Sequence, residues 1–210
     1  MVWSSKLLVI FIVLVIFSNV PNCYSSYILQ ASNQQRDTAL ANYYYSKADS
    51  LNKVSLYIDA NTYFNKSSIL YQKSLTTKNI NIFRKYIACN IKINENLRDQ
   101  RKFDEAIAVL NQLLDEDIGS YDNSWKTYGK VYYEIARNLS FKGEYLAALE
   151  AYDKALQKFN IVLHGEDNLV IARIYNGKGE THEDNGDPYV AIKYYKKALG
   201  IFTTMYGSDD

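Results

Sequence analysis

Fourteen residues near the C-terminus occur twice, and that recurrence limits the fold more than any other feature of the chain. Residues 143–156 read GEYLAALEAYDKAL and residues 186–199 read GDPYVAIKYYKKAL. Glycine, alanine, tyrosine and a closing Ala-Leu stand at the same offsets, and the alanines Ala148 and Ala191 are 43 residues apart. Two weaker copies lie upstream. One is anchored at Ala106 within residues 103–110, 42 residues before Ala148; the other is anchored at Ser67 within residues 64–75, a further 39 residues back. A unit of this size cannot bury its own apolar face, so four of them must stack in series around a shared core.

Each unit reads as two helices. In the third, Trp125 to Lys142 is the first helix and Glu144 to about His164 the second, with Gly143 supplying the positive φ between them. In the fourth, residues 185–188 do the same work: Asp187 is an N-cap and Pro188 occupies the first helical position. Ala148, Ala151 and Ala155 share one helix face at i, i+3 and i+7, where small side chains let the two helices of a hairpin approach closely. Only 2 prolines occur in the chain, which long helices require. The 20 tyrosines suit a thin fold in which rings pack while hydroxyls stay wet.

The N-terminus is different. Lys6 precedes an unbroken apolar run of 11 residues, Leu7 to Phe17, and turn-forming residues follow. A membrane-spanning helix needs about 20 apolar residues. The shorter run fits the apolar region of a secretory signal over residues 1–25, cut after Ser25. Cys23 offers lipidation as the alternative. The mature chain is therefore expected to be exported, either periplasmic or secreted, with membrane attachment only through an uncleaved or lipidated leader. Its 23 basic and 23 acidic side chains balance, so no electrostatic footprint for nucleic acid exists. Cys89 would be the only mature cysteine, and reads as a small buried hydrophobe.

These residues resemble the tetratricopeptide family over roughly residues 38–207, in units of about 38–77, 79–117, 124–164 and 167–206, after a lead-in of 26–37. The family's small residue on the first helix stands at Ser55, Asn94, Ala136 and Gly179. Its aromatic before the anchor is Phe64, Phe103 and Tyr145, and its second-helix aromatic is Tyr71, Tyr152 and Tyr195. The 42–43 spacing is similar to the longer variant found in kinesin light chains and bacterial signalling proteins. The resemblance implies an all-α, right-handed helical solenoid of about four antiparallel helix pairs. It also implies that a peptide or protein partner binds in the concave groove lined by first helices.

Counting back from the anchors places one stripe at Asn52, Ile91, Tyr133 and Asn176. A second runs through Leu56, Glu95, Arg137 and Glu180, and a third through Asp49, Ala88, Lys130 and Arg173. Of these, Asn52, Glu95, Lys130, Tyr133, Arg137, Arg173, Asn176 and Glu180 are the expected groove contacts. Asn176 matches the asparagine with which the long variant holds a peptide backbone, while Lys130, Arg137 and Arg173 are suited to a carboxylate. The other reading the resemblance allows is the sensor or regulatory arm of a larger signalling or caspase-like protease system. Residues 206–210 mirror residues 164–168 at the start of the fourth unit. Ile192, Leu199, Phe202 and Met205 should then lack a covering neighbour, so that this end self-associates, docks a partner or marks a truncation point.

No arrangement of nucleophile, base or metal ligands points to an enzyme, and no cofactor or metal is called for. His182 stands where Ile58, Leu97 and Leu139 stand in the other units, a packed position. The acidic run at residues 183–187 has the wrong register for an EF-hand.

Overall fold

The computed structural model describes residues 22–75, 79–116, 124–160 and 168–207. These residues form four antiparallel helix hairpins: α1 (Asn22–Lys53) with α2 (Tyr57–Lys73), α3 (Ile80–Asp99) with α4 (Phe103–Asp115), α5 (Ser124–Lys142) with α6 (Tyr145–Asn160), and α7 (Asn168–Asp184) with α8 (Pro188–Tyr206). Each helix packs on its neighbours in sequence, and α3 also touches α5, as α5 touches α7. The result is an all-α solenoid, with first helices side by side and second helices behind them. Most of the expected leader lies outside the described residues. The expected cut after Ser25 and the lead-in of 26–37 both fall within α1. No helix among the described residues is long and apolar enough to cross a membrane.

All four hairpins close with the same turn. Ser55, Arg101, Gly143 and Gly186 have φ of 61°, 59°, 88° and 86°. Each donates its N–H to the carbonyl three residues back, and the next residue donates to the carbonyl five back: Leu56 to Leu51, Lys102 to Leu97, Glu144 to Leu139 and Asp187 to His182. This is the Schellman arrangement, which satisfies carbonyls that a helix end leaves unpaired. Two of the four turns use residues with a side chain in the left-handed region, and those two carry no glycine to announce them.

The turns fix the register, and the first unit departs from its expected one. Ser55 is not on a first helix but at the turn, equivalent to Gly143. The anchor five residues on is therefore Ala60, 46 residues before Ala106, and not Ser67. Ala48 takes the place expected for Ser55. Tyr57 replaces Phe64 as the aromatic before the anchor, Phe64 replaces Tyr71, and Leu51 replaces the exposed Ile58 as the counterpart of His182. The cause is a local repetition: Tyr57, Ala60 and Phe64 have the same spacing as Phe64, Ser67 and Tyr71. Seven residues are two helical turns, so both sets share one buried face. Ser67 is itself fully buried, donating from Oγ to the Ala41 carbonyl at 2.8 Å.

With this register the small residues line up. Ala60, Ala106, Ala148 and Ala191 are all buried on the second helices; Ala48, Asn94, Ala136 and Gly179 oppose them on the first. A second recurrence agrees. Lys66 lies over the Tyr44 ring (5.7 Å), Lys154 over Tyr132 (5.9 Å) and Lys197 over Tyr175 (5.1 Å), each pair at the same two positions of its hairpin. Cys89 is fully buried, as expected, and burial pushes its thiol up to about 12. His182 packs flat on Tyr194, with ring centroids 5.3 Å apart. Asp187 precedes α8 but does not cap it; its carboxylate accepts from Asn185 Nδ2 at 3.1 Å, and only backbone closes the first turn. Ile192, Leu199 and Met205 are exposed on α8, while Phe202 is half-buried.

Glycine inside a helix is tolerated here where another ring needs the space. A Cβ on Gly129 would lie 2.5 Å from the ring of Phe159, which is 1% exposed and held edge-on by Trp125. Gly200 in α8 has no such neighbour within 4 Å. Gly129→Ala should therefore destabilise the fold by about 1–3 kcal/mol through overpacking. Gly200→Ala should stabilise it by about 0.5–1 kcal/mol through helix propensity. Urea unfolding of both variants checks the opposite signs.

Candidate functional site

The inner wall is built from α3, α5 and α7, flanked by α1. With the first unit in its observed register, its contributions to the three stripes move two turns back. Tyr45 replaces Asn52, Asp49 replaces Leu56, and Asn42 replaces Asp49. Asn52 is thus not a groove residue: it sits in the last turn of α1, its carbonyl accepting from Ser55 N–H at 3.0 Å and its side-chain Oδ1 buried without a partner. The remaining expected residues lie on α3, α5 and α7.

Tyr133 is the centre of this wall. Its half-buried ring lies 6.1 Å from that of Tyr152, and the Arg137 guanidinium sits 5.7 Å over it. Burial pushes its hydroxyl above the usual range; Arg137 and Arg173 act against that shift, while Glu134 and Glu180 add to it. Four of the expected groove residues, Tyr133, Arg137, Arg173 and Glu180, are therefore one electrostatic neighbourhood. Asn176 donates from Nδ2 to Glu180 Oε1 at 2.6 Å, so its amide is held in place by the next turn. Towards the N-terminal end, Lys92 pairs with Glu95 at 2.7 Å and Lys53 with Asp49 at 2.8 Å. Lys130 and Arg173 are exposed and make no ion pair among the described residues.

Behind the wall lies a polar cluster that pattern reading passed over. Asn94 occupies the tight crossing held by alanine or glycine in the other units, and it is fully buried. Its Nδ2 donates to Glu134 Oε2 at 3.2 Å, and its Oδ1 accepts from Asn138 Nδ2 at 2.6 Å. Arg98 donates to the same Glu134 oxygen, and Arg137 Nη1 approaches it at 3.5 Å. The signal was available: an asparagine at a position that demands a small residue must bring partners, because a buried amide without them costs about 1–3 kcal/mol. Glu134 and Asn138, 40 and 44 residues on, are those partners.

The tetratricopeptide repeat family model matches residues 127–204, the third and fourth hairpins. The third and fourth hairpins are tetratricopeptide repeats. The fold of the chain is that of several solved structures of low identity. RapI in its apo form superposes with a TM-score of 0.67 at 16% identity, over 89% of this chain and 49% of that one. BtubC (BKLC) from P. vanneervenii gives 0.64 at 14%, over 81% and 66%. MamA gives 0.54 at 18%, over 86% and 85%. The chain thus spans about half the length of RapI and two-thirds of BtubC. No curated protein matches it in sequence.

In this solenoid the Asn94 cluster locks the second unit to the third. Glu134→Ala would strand Arg98, whose side chain is 8% exposed, without its carboxylate. The expected loss is about 3–5 kcal/mol, and the double change Glu134→Leu with Arg98→Met should recover most of it. Chemical denaturation of the two variants measures the difference.

Proposed function

We propose that the chain is a protein-interaction scaffold that holds an extended, carboxylate-bearing segment of a partner protein along α5 and α7. One observation carries this reading: Lys130 and Arg173 stand exposed beside Tyr133 with no ion pair among the described residues, while the cations Lys92 and Arg137 on the same wall are engaged. A guanidinium and an ammonium on neighbouring helices, one turn from a half-buried ring, suit a carboxylate approaching with an apolar or aromatic neighbour. Asn176 lies on the same helix as Arg173, and its amide both donates to and accepts from a peptide backbone once Glu180 releases it. The balanced charge of the chain beyond residue 25 supports a local, directional contact over general attraction to a polyanion. The apolar run Leu7–Phe17 supports the further reading that this binding takes place after export, outside the cytoplasm.

Selection from a random peptide library against the whole chain tests the proposal. Selected peptides should be rich in Asp and Glu. Their affinity should fall about tenfold or more in Lys130→Ala with Arg173→Ala, which corresponds to about 1.4 kcal/mol. Asn176→Ala should weaken them less. Arg137→Ala is the poorer probe because Arg137 also supports Tyr133 and Glu134. Peptides without acidic residues, or equal affinity for the double variant, would remove the basis for this groove.

A further inference from the structure

The lysine-over-tyrosine pair that closes the first, third and fourth hairpins is missing from the second. There the tyrosine position is Asn90 and the lysine position is Gln112. Ring and ammonium have gone together, and both replacements line a cleft of about 400 Å³ on the outer side, between α2, α3 and α4. Asn90 is 8% exposed. Both hydrogens of its Nδ2 are used inward, on Ser68 Oγ and the Tyr86 carbonyl, each at 2.9 Å. Oδ1 remains as the acceptor on the cleft side.

The rest of the lining has one sign. Glu116 Oε1 accepts from Gln72 Nε2 at 2.6 Å and from the Tyr86 hydroxyl at 3.2 Å, both neutral donors. Asp115 is exposed at the same mouth. Neither carboxylate has a cation among the described residues, and none of the lining residues is basic. A second cleft of about 320 Å³ adjoins the first through Asn65, and Ile93, Leu97 and Val109 give it an apolar lining.

We propose that the first cleft takes a lysine side chain from a second protein, at the position where the other hairpins place their own, with an apolar residue of the same segment in the adjoining cleft. The Asn90 side-chain carbonyl and the two carboxylates offer acceptors and negative charge to an ammonium donor. The apolar neighbour selects a polypeptide over a free polyamine. This site is on the face opposite the inner wall and is independent of the groove around Tyr133.

The test is titration of the full chain with the peptide acetyl-Gly-Lys-Gly-Leu-Gly-amide, read by the side-chain amide NMR signals of Asn90 and Gln112. Saturable shifts are expected. Replacing the peptide's lysine by norleucine, or the protein's Asp115→Asn with Glu116→Gln, should weaken binding at least tenfold. Asn90→Tyr with Gln112→Lys, which writes the missing pair back, should abolish it. Lys130→Ala with Arg173→Ala should leave it unchanged. The proposal is overturned if the norleucine peptide binds equally, if the restored or the charge-neutral variant still binds the lysine peptide, or if spermidine alone binds as tightly as the peptide. Absence of shifts at millimolar peptide overturns it as well.

Discussion

Everything in this solenoid depends on how closely two helices can approach at one crossing per hairpin. Ala60, Ala106, Ala148 and Ala191 on the second helices leave room there for the backbone of the first. Side chains of one or no carbon permit the approach, and the large rings on either side, Phe64, Tyr152 and Phe159 among them, then fill the flanking space to interior density. Gly129 and Gly179 show the same requirement carried to its limit, since a Cβ at either would meet an aromatic ring at 2.5 Å or less. Close hairpins bring the first helices into register side by side, and that register sets the spacing of the stripes on the inner wall.

The second unit breaks the rule on both of its faces. At the crossing it has Asn94 in place of alanine or glycine, and the extra bulk is accommodated because Glu134 and Asn138 complete its hydrogen bonds, with Arg98 in turn paired to Glu134. On the outer side it has Asn90 and Gln112 in place of a ring and an ammonium, and a cleft opens. A buried ionic cluster is a weak source of stability compared with apolar packing of the same volume. What it supplies at this position is specificity of pairing: α3 and α5 match each other through groups that fit no other pair of helices in the chain.

The hairpins of the third and fourth units were legible in sequence because Gly143 and Gly186 mark their turns and two alanines mark their crossings. The first unit was legible as a hairpin but not in register. Tyr57-Ala60-Phe64 and Phe64-Ser67-Tyr71 lie on one face two turns apart, so apolar periodicity cannot separate them. Only the turn can, and Ser55 adopts a left-handed conformation that its side chain does not advertise. The same displacement explains why Asn52 was placed in the groove, whereas the counts that give Tyr133, Arg137, Arg173, Asn176 and Glu180 start from glycine-marked turns and need no shift of register. Ion pairing across the wall was beyond sequence reading. Lys178 with Asp153 depends on a neighbour outside its own unit.

Pairing is also what separates the two ends of the wall as binding surfaces. Beside α1 and α3, Lys53 and Lys92 each already have a carboxylate within 2.8 Å. An incoming charged segment there would have to break an existing pair and would gain little net energy, as exposed pairs exchange at near-zero cost or benefit. Beside α5 and α7, Arg173 and Lys130 have no pair to break among the described residues, and Tyr133 offers a half-buried ring. Contacts made there are added, not exchanged. A scaffold with uniform backbone geometry thereby acquires a preferred end through the placement of a few carboxylates, not through any change in the fold.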